Sequence, residues 1–329
     1  MLKDKILSQL RGKKNLLAFS GGADSTALFF LLLKHNIPFD IATVNYALRE
    51  QSKQEVAYAQ ALAKEHNLAS YVFDAPKIEQ NFEAKAREIR YDFFSSLSQT
   101  HGYENLLTAH HLGDRFEWML MQFCKGAGCA EIAGMQSTQK RDSYTIIRPL
   151  LHLDKQELIE YLKSSNTPYF EDESNLDESI KRNYFRHNHT MPLLKKHLEG
   201  IKKSFAYMDE DRDALIEEAD IKSISEFAYF KRLQTQRSDI YAIDKYLKSQ
   251  LYMLSANERA LLREQETLVV GRKFVIKQSK EFVFIAPYVT KVVMSSEFKE
   301  ACRVLKIEPK LRNYLYENQE AFLKIKELL

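Results

Sequence analysis

The stretch Leu16-Leu17-Ala18-Phe19-Ser20-Gly21-Gly22-Ala23-Asp24-Ser25-Thr26 decides the fold. An apolar run ends in a hydroxyl, two glycines, a carboxylate and two more hydroxyls, and a second apolar segment, Ala27 to Leu33, follows at once. The run reads as a buried strand and the segment as a buried helix. The turn between them brings backbone N–H groups to a helix N-terminus, where free donors and the positive end of the helix dipole attract anions. Glycine suits such a turn because, lacking a Cβ, it lets phosphate oxygens approach the backbone. The Gly-Lys-Ser/Thr ending of a Walker loop is absent, so no lysine is placed to reach the terminal phosphates. A plain glycine turn in an ordinary α/β unit is the competing reading.

Working outward, Phe39 to Asn45 reads as a second strand, Gln51 to Asn67 as an amphipathic helix and Tyr71-Val72-Phe73 as a third strand. A helix from Ile78 to about Thr100, a fourth strand Leu106-Leu107-Thr108-Ala109, a helix from Leu112 to Lys125 and a fifth strand Tyr144 to Leu150 follow. This alternation implies an α/β fold with a parallel five-stranded, Rossmann-like sheet covered by helices on both faces. After a helix from Asp154 to Lys163 the alternation stops, and a charged helical region begins near Ile180, interrupted around Pro192. The boundary is placed so that residues 1–205 form one domain and 206–329 a second. The latter is expected to be mainly helical from Ile224 to Arg263 and from Ser296 to Leu329, with a small β element at Leu268 to Lys277 and Glu281 to Ala286.

A chain of 329 residues with 45% apolar and 28% charged content has the make-up of a soluble globular protein of about two domains. No apolar run approaches the roughly 20 residues that span a bilayer, and the first residues lack the apolar core of a signal peptide. A cytoplasmic protein with no membrane partner is expected. Three cysteines, Cys124, Cys129 and Cys302, exclude a disulfide framework and read as core residues. The net charge of +3 announces no nucleic-acid partner, but Lys181, Arg182, Arg186, Lys195, Lys196, Lys202 and Lys203 crowd one stretch. Such a band attracts phosphate backbones, with a solvated helix face as the alternative.

The loop resembles the SGGxDS pyrophosphate loop of the ATP-pyrophosphatase, or PP-loop, family. Further stretches are similar to one branch of it, the tRNA(Ile)-lysidine synthetases. They are Val44-Asn45-Tyr46-Ala47-Leu48-Arg49, Phe82 to Tyr91, Leu107-Thr108-Ala109-His110-His111-Leu112-Gly113-Asp114 with Glu117, Arg148-Pro149-Leu150-Leu151, Asp172-Glu173-Ser174-Asn175 and Arg182-Asn183-Tyr184-Phe185-Arg186. The resemblance covers roughly residues 15 to 195. It implies an adenine nucleotide α-hydrolase-like sheet of order 3-2-1-4-5, in which the loops after strands one and four meet. It also implies a reaction: ATP adenylates C2 of the wobble cytidine in the CAU-anticodon isoleucine tRNA, and the amine of free L-lysine displaces AMP. The partners it implies are that tRNA, ATP, Mg²⁺ and lysine. Residues 206–329 would then recognise tRNA, and a homodimer is among the expected assemblies.

Within that chemistry, Ser20, Gly21, Gly22, Ala23, Asp24, Ser25 and Thr26 form the nucleotide-binding loop, and the N–H groups of Gly21 to Ser25, with the Ser20 and Ser25 hydroxyls, would hold the pyrophosphate. Asp24 would help hold the metal, with a helix N-cap as its other role. Arg87 and Arg90, three apart on one helix face, suit phosphate, although Glu83 could pair with Arg87. Asp114 and Glu117, also three apart, would complete the metal site and receive the ammonium of lysine, Asp114 serving the metal and Glu117 the lysine. The helix dipole alone also favours acids there. Lysine must lose a proton before it attacks, since its amine has a pKa of about 10.4. A carboxylate or His110 would take that proton. Arg182, Arg186, Lys195 and Lys196 are the expected tRNA phosphate contacts. Three positions depart from the pattern: Gly113 replaces an aspartate, Trp118 a threonine and Tyr46 a histidine. They keep open two alternatives, another PP-loop tRNA-modifying enzyme and a tRNA-binding homologue with impaired catalysis.

Overall fold

Leu16 and Leu17 are wholly buried, and they face opposite sides of a sheet. The computed structural model describes residues 1–47, 51–141, 143–171 and 177–329. In it the chain divides into two compact units, Met1–Asp209 and Glu210–Leu329.

The first unit runs α1 (Asp4–Leu10), β1 (Asn15–Ala18), α2 (Ala23–Lys34), β2 (Phe39–Asn45), α3 (Gln51–Glu65), β3 (Ser70–Asp74), α4 (Phe82–His101) and β4 (Asn105–Leu107). It continues α5 (Leu112–Phe123), α6 (Cys129–Ile132), β5 (Thr138–Lys140), β6 (Thr145–Ile147), α7 (Lys155–Ser164) and α8 (Lys181–Phe185). A π turn (Arg186–Thr190) leads into α9 (Met191–Leu215), which runs past the division between the units. The sheet order is β3-β2-β1-β4-β6-β5. All neighbours are parallel except β5, an edge strand antiparallel to β6.

The sheet thus has six strands where five were expected. The extra one, Thr138-Gln139-Lys140, is short and polar and has no apolar pattern to announce it. It is held from the side: buried Arg148, the residue after the strand it pairs with, donates to the Gln136 carbonyl at 2.8 Å and to Gln139 Oε1 at 3.0 Å. One face of the sheet packs Leu17, Phe19 and Ile41 against α2, α3 and α7. The other packs Leu16, Ala42, Leu106 and Ile146 against Phe94 and Leu97 of α4. Two buried asparagines, Asn15 and Asn105, bond side chain to side chain at 2.9 Å at the start of the adjacent strands β1 and β4.

The charged helical region does not break at Pro192: a π turn lies just before it, Met191 keeps helical backbone, and α9 continues through the proline. Its backbone departs from helix at His197 instead (φ −134°, ψ 28°). Cys124 and Cys129 are exposed rather than core, because both lie beyond the buried part of α5; Cys302 is buried.

The second unit contains β7 (Lys222–Ile224), β8 (Phe227–Lys231), α10 (Gln236–Ser249), α11 (Ala256–Glu264), β9 (Thr267–Val270), β10 (Phe274–Gln278), β11 (Phe282–Pro287) and helices α12 (Ser296–Val304), α13 (Pro309–Glu317) and α14 (Gln319–Leu328). Its antiparallel sheet, β7-β8-β11-β10-β9, is fuller than expected. Phe227-Ala228-Tyr229-Phe230 was expected in a helix. It is a strand buried on both faces, a continuous apolar run whose period cannot separate the two. The run Leu268 to Lys277 is cut into two strands by Gly271 and Arg272, at φ 55° and 54°. Among the described residues no helix is long and apolar enough to cross a membrane.

Phe29 of α2 is wholly buried, and its ring meets those of Phe19, Phe30 and Phe39 at 5.7, 5.2 and 5.1 Å. Phe29→Ala is expected to lower the unfolding free energy by about 3–5 kcal/mol, measured as a lower urea midpoint. An unchanged midpoint would mean that the helix closes over the gap.

Candidate active site

The loop after β1 keeps the phosphate-binding form. Gly21 stands at φ 76°, and a Cβ there would meet the Phe170 ring at 3.3 Å. The Phe170 N–H donates to the Gly21 carbonyl at 3.0 Å, so the segment before residue 171 straps the loop. Helix α2 starts at Ala23 with Gly22 in the cap position and no side-chain cap, which leaves its first N–H groups without a side-chain acceptor. Asp24 is therefore not the N-cap; it lies inside the first turn. Ser25 and Thr26 are buried, and their hydroxyls donate to the carbonyls of Gly22 at 3.1 Å and Gly21 at 3.2 Å. They brace the loop from within, so the Ser25 hydroxyl, expected to hold pyrophosphate, is engaged by the loop itself. Ser20 is exposed, with its Oγ 3.1 Å from that of Ser25.

The loop after β4 arrives beside it because β1 and β4 are neighbours. His111 caps α5: its Nδ1 accepts from the Gly113 N–H at 3.0 Å, and its own N–H donates to Asp114 Oδ2 at 3.0 Å. With Nδ1 an acceptor, Nε2 carries the proton of the neutral ring. That atom lies 3.8 Å from Asp24 Oδ2 and 3.6 Å from Asp114 Oδ2, so one imidazole stands between carboxylates from the first turns of two helices. Lys155 Nζ lies 3.8 Å from Asp24 Oδ2. Asp24 Oδ1 is buried and accepts no hydrogen bond. Burial alone would raise the pKa of Asp114, but His111, Arg182 and the His111 N–H outweigh it and hold the carboxyl well below its ordinary range.

Glu117 is buried to 1% side-chain exposure. It accepts from Arg182 Nε and, at 2.9 Å, from Arg186 Nε. Arg182 Nη2 also donates to Asp114 Oδ1 at 3.0 Å, and Arg186 Nη2 lies 3.6 Å from the same atom. This arrangement depends on α5 packing against α9 through Leu112, Phe116, Leu194 and Phe205. Buried Arg115 reinforces it, donating to both Asp209 oxygens at 2.9 and 2.6 Å and to the Ala133 carbonyl.

Two expectations change here. Glu117 does not offer a free carboxylate to lysine, because both its oxygens already hold guanidinium groups. Arg182 and Arg186 do not belong to an outward basic band, because the acids of α5 draw them in. Lys195 and Lys196 are exposed on α9. Arg87 is exposed, with its guanidinium over the Tyr91 ring at 4.9 Å, and Arg90 is exposed beside it. His110 is half-buried, its Nδ1 2.9 Å from Thr108 Oγ1. Burial, with Arg148, Arg182 and Arg87, outweighs Asp114 and pushes its pKa down to about 4. Tyr46 donates to the Ala86 carbonyl at 2.7 Å. Leu48, Arg49 and the motif Asp172-Glu173-Ser174-Asn175 lie outside the described residues.

Two site residues escaped the reading of the sequence. His111 stood in a quoted motif, but nothing in the spacing separated it from His110. Lys155 sits after β6, on a helix with no phosphate-loop signal.

Comparison with known proteins agrees with this geometry. A family model described as a PP-loop domain matches residues 2–193. The chain is 41% identical over 318 residues to the tRNA(Ile)-lysidine synthase of Campylobacter jejuni subsp. jejuni, covering 97% of each. It is 42% identical over 312 residues to that of Helicobacter pylori, covering 94% of this chain and 91% of the relative. The chain belongs to the tRNA(Ile)-lysidine synthase family. The synthase of Wolinella succinogenes is 43% identical over 310 residues, covering 94% of each. Among solved structures, a U34-tRNA thiolase from Methanococcus maripaludis, with its 4Fe-4S cluster, is similar at a TM-score of 0.54 and 18% identity. It covers 67% of this chain and 78% of that one, and the likeness shows the fold alone.

In this lysidine synthase-family chain Gly113 is a steric fit, not only a lost acid. A Cβ there would lie 2.7 Å from His111 Cε1 and 3.0 Å from Nδ1. Gly113→Ala is expected to cost about 1–3 kcal/mol, and nearly nothing when His111 is already alanine. Thermal melts of the two singles and the double check this, and strict additivity would refute the clash.

The pH dependence has a definite sign. Below pH 6.5 the unfolded chain protonates its histidine, while folded His110 refuses the proton until about pH 4. Stability therefore falls as pH drops through that window and flattens below it. Asp114 adds a separate loss below its ordinary value of 3.8. His110→Gln should lessen the slope in the first window of a pH series of denaturation midpoints, with His152, whose pKa burial also lowers, keeping part of it, and should leave the second window unchanged.

Proposed function

We propose that this chain makes lysidine on tRNA(Ile) with the CAU anticodon, using ATP and free lysine. The reading is carried by one observation: the uncapped N-terminus of α2 opens beside Asp24 and Asp114, both within 4 Å of His111 Nε2. The cytidine oxygen at C2 attacks the α-phosphate and pyrophosphate leaves. The lysine amine then attacks C2, AMP departs with that oxygen, and the amine gives up a proton. The loop N–H groups bind the leaving pyrophosphate. Arg182, with Arg87 and Arg90, supplies cations for charge that develops on the phosphoryl oxygens. A carboxylate of the site or His110 accepts the proton.

Mg²⁺ fits this donor set. The buried, unpartnered Asp24 Oδ1 is the first oxygen for it, and Asp114 stands across His111 as the second. Among the described residues no group of three metal-ligating side chains forms, which suits an ion held by one or two carboxylates and substrate phosphates. Bound there, it would neutralise charge on those phosphates. Residues 1–205 would carry the catalysis and 206–329 the recognition of tRNA, with Lys195 and Lys196 on phosphates.

Radiolabelled lysine incorporation into a panel of tRNA transcripts tests the reading. Asp24→Asn is expected to slow pyrophosphate release about 100-fold or more while tRNA binding is kept. Turnover near wild type would remove Asp24 from the site.

A further inference from the structure

The acids that an incoming ammonium would need are already filled by cations of the chain itself. Both Glu117 oxygens accept from the Nε atoms of Arg182 and Arg186, and Asp114 Oδ1 takes the Arg182 Nη2. A lysine ammonium offers the same chemistry as these guanidiniums, a positive charge and several donors. Two carboxylates and two arginines leave no net charge. An ammonium pressed in beside both arginines would be buried without a counter-charge, which is costly, whereas Mg²⁺ would bring substrate phosphates as its counter-charge. One arginine must leave first.

Arg182 is the one placed to go. Its side chain is 35% exposed against 24% for Arg186. It sits on a helix of five residues, whereas Glu117 is fixed on α5. An anion would draw it off: guanidinium groups bind phosphate through paired hydrogen bonds, at least as well as they bind carboxylate. The phosphate-binding end of α2 is one carboxylate away, since Asp24 and Asp114 flank the same His111 nitrogen.

We infer that Arg182 is the internal occupant of the ammonium site, and that the phosphates of ATP draw it off Asp114 and Glu117, so that nucleotide binds before lysine. This rests on the function proposed above. It explains how the site keeps lysine out until the activating nucleotide has arrived. The two ligands are coupled through one side chain, and the coupling is reciprocal.

The test is equilibrium dialysis of labelled lysine against the full chain, with and without Mg²⁺ and α,β-methylene-ATP, which blocks cleavage between the α- and β-phosphates. The analogue is expected to tighten lysine binding at least tenfold, and saturating lysine to tighten the analogue by the same factor. Arg182→Gln should bind lysine without nucleotide, with the analogue's effect reduced towards one. Arg182→Lys, which keeps a cation on the acids, should retain most of the coupling. Lysine binding in the wild type that ignores the analogue overturns the ordering and leaves the proposed function standing. No lysine binding in either state, together with no lysine transfer to any transcript, overturns the function itself and the ordering with it.

Discussion

Glu117 is a carboxylate buried in the first turns of α5, and a buried charge persists only with partners. It draws the Nε atoms of Arg182 and Arg186 onto its two oxygens. That single requirement holds α8 and the π turn against α5. It also draws two partly exposed arginines inward and places them beside Asp114. The packing of α5 on α9, with Arg115 clamped to Asp209, closes the same contact from behind. The candidate site is therefore a property of charges that cannot be left alone.

His111 makes the second connection. It caps α5 and in doing so aims one nitrogen between carboxylates in the first turns of α2 and α5. The strand order makes this possible, because β1 and β4 are neighbours with their following loops on the same edge. Gly113 makes it sterically possible, since any side chain there would push the ring away. The substitution that separates this chain from the family pattern is thus accommodated by the geometry of its neighbour. Catalytic impairment is not needed to explain it.

The site and the anchoring of the loop share residues. Ser25 and Thr26 look like phosphate ligands in a hydroxyl-rich motif, yet they hold the loop in shape by donating to its carbonyls. Phe170 pins Gly21 from outside. The backbone is preorganised by its own side chains, which leaves the N–H groups of α2 for the ligand.

The chain sequence by itself determined the first unit's α/β alternation, the phosphate loop at Ser20 to Thr26 and the acids Asp24, Asp114 and Glu117. Each rests on local signals: apolar period, glycines at a turn, acids in a first helical turn. It did not determine the edge strand Thr138 to Lys140, which is polar and exists because Arg148 and β6 hold it. Nor did it separate strand from helix in Phe227 to Phe230, where burial on both faces erases the period. The roles of Glu117, Arg182, Arg186 and His111 were decided only by tertiary structure. Residues 65 and 69 positions apart meet as ion pairs, and no spacing within one helix can say which cation will reach a buried acid first.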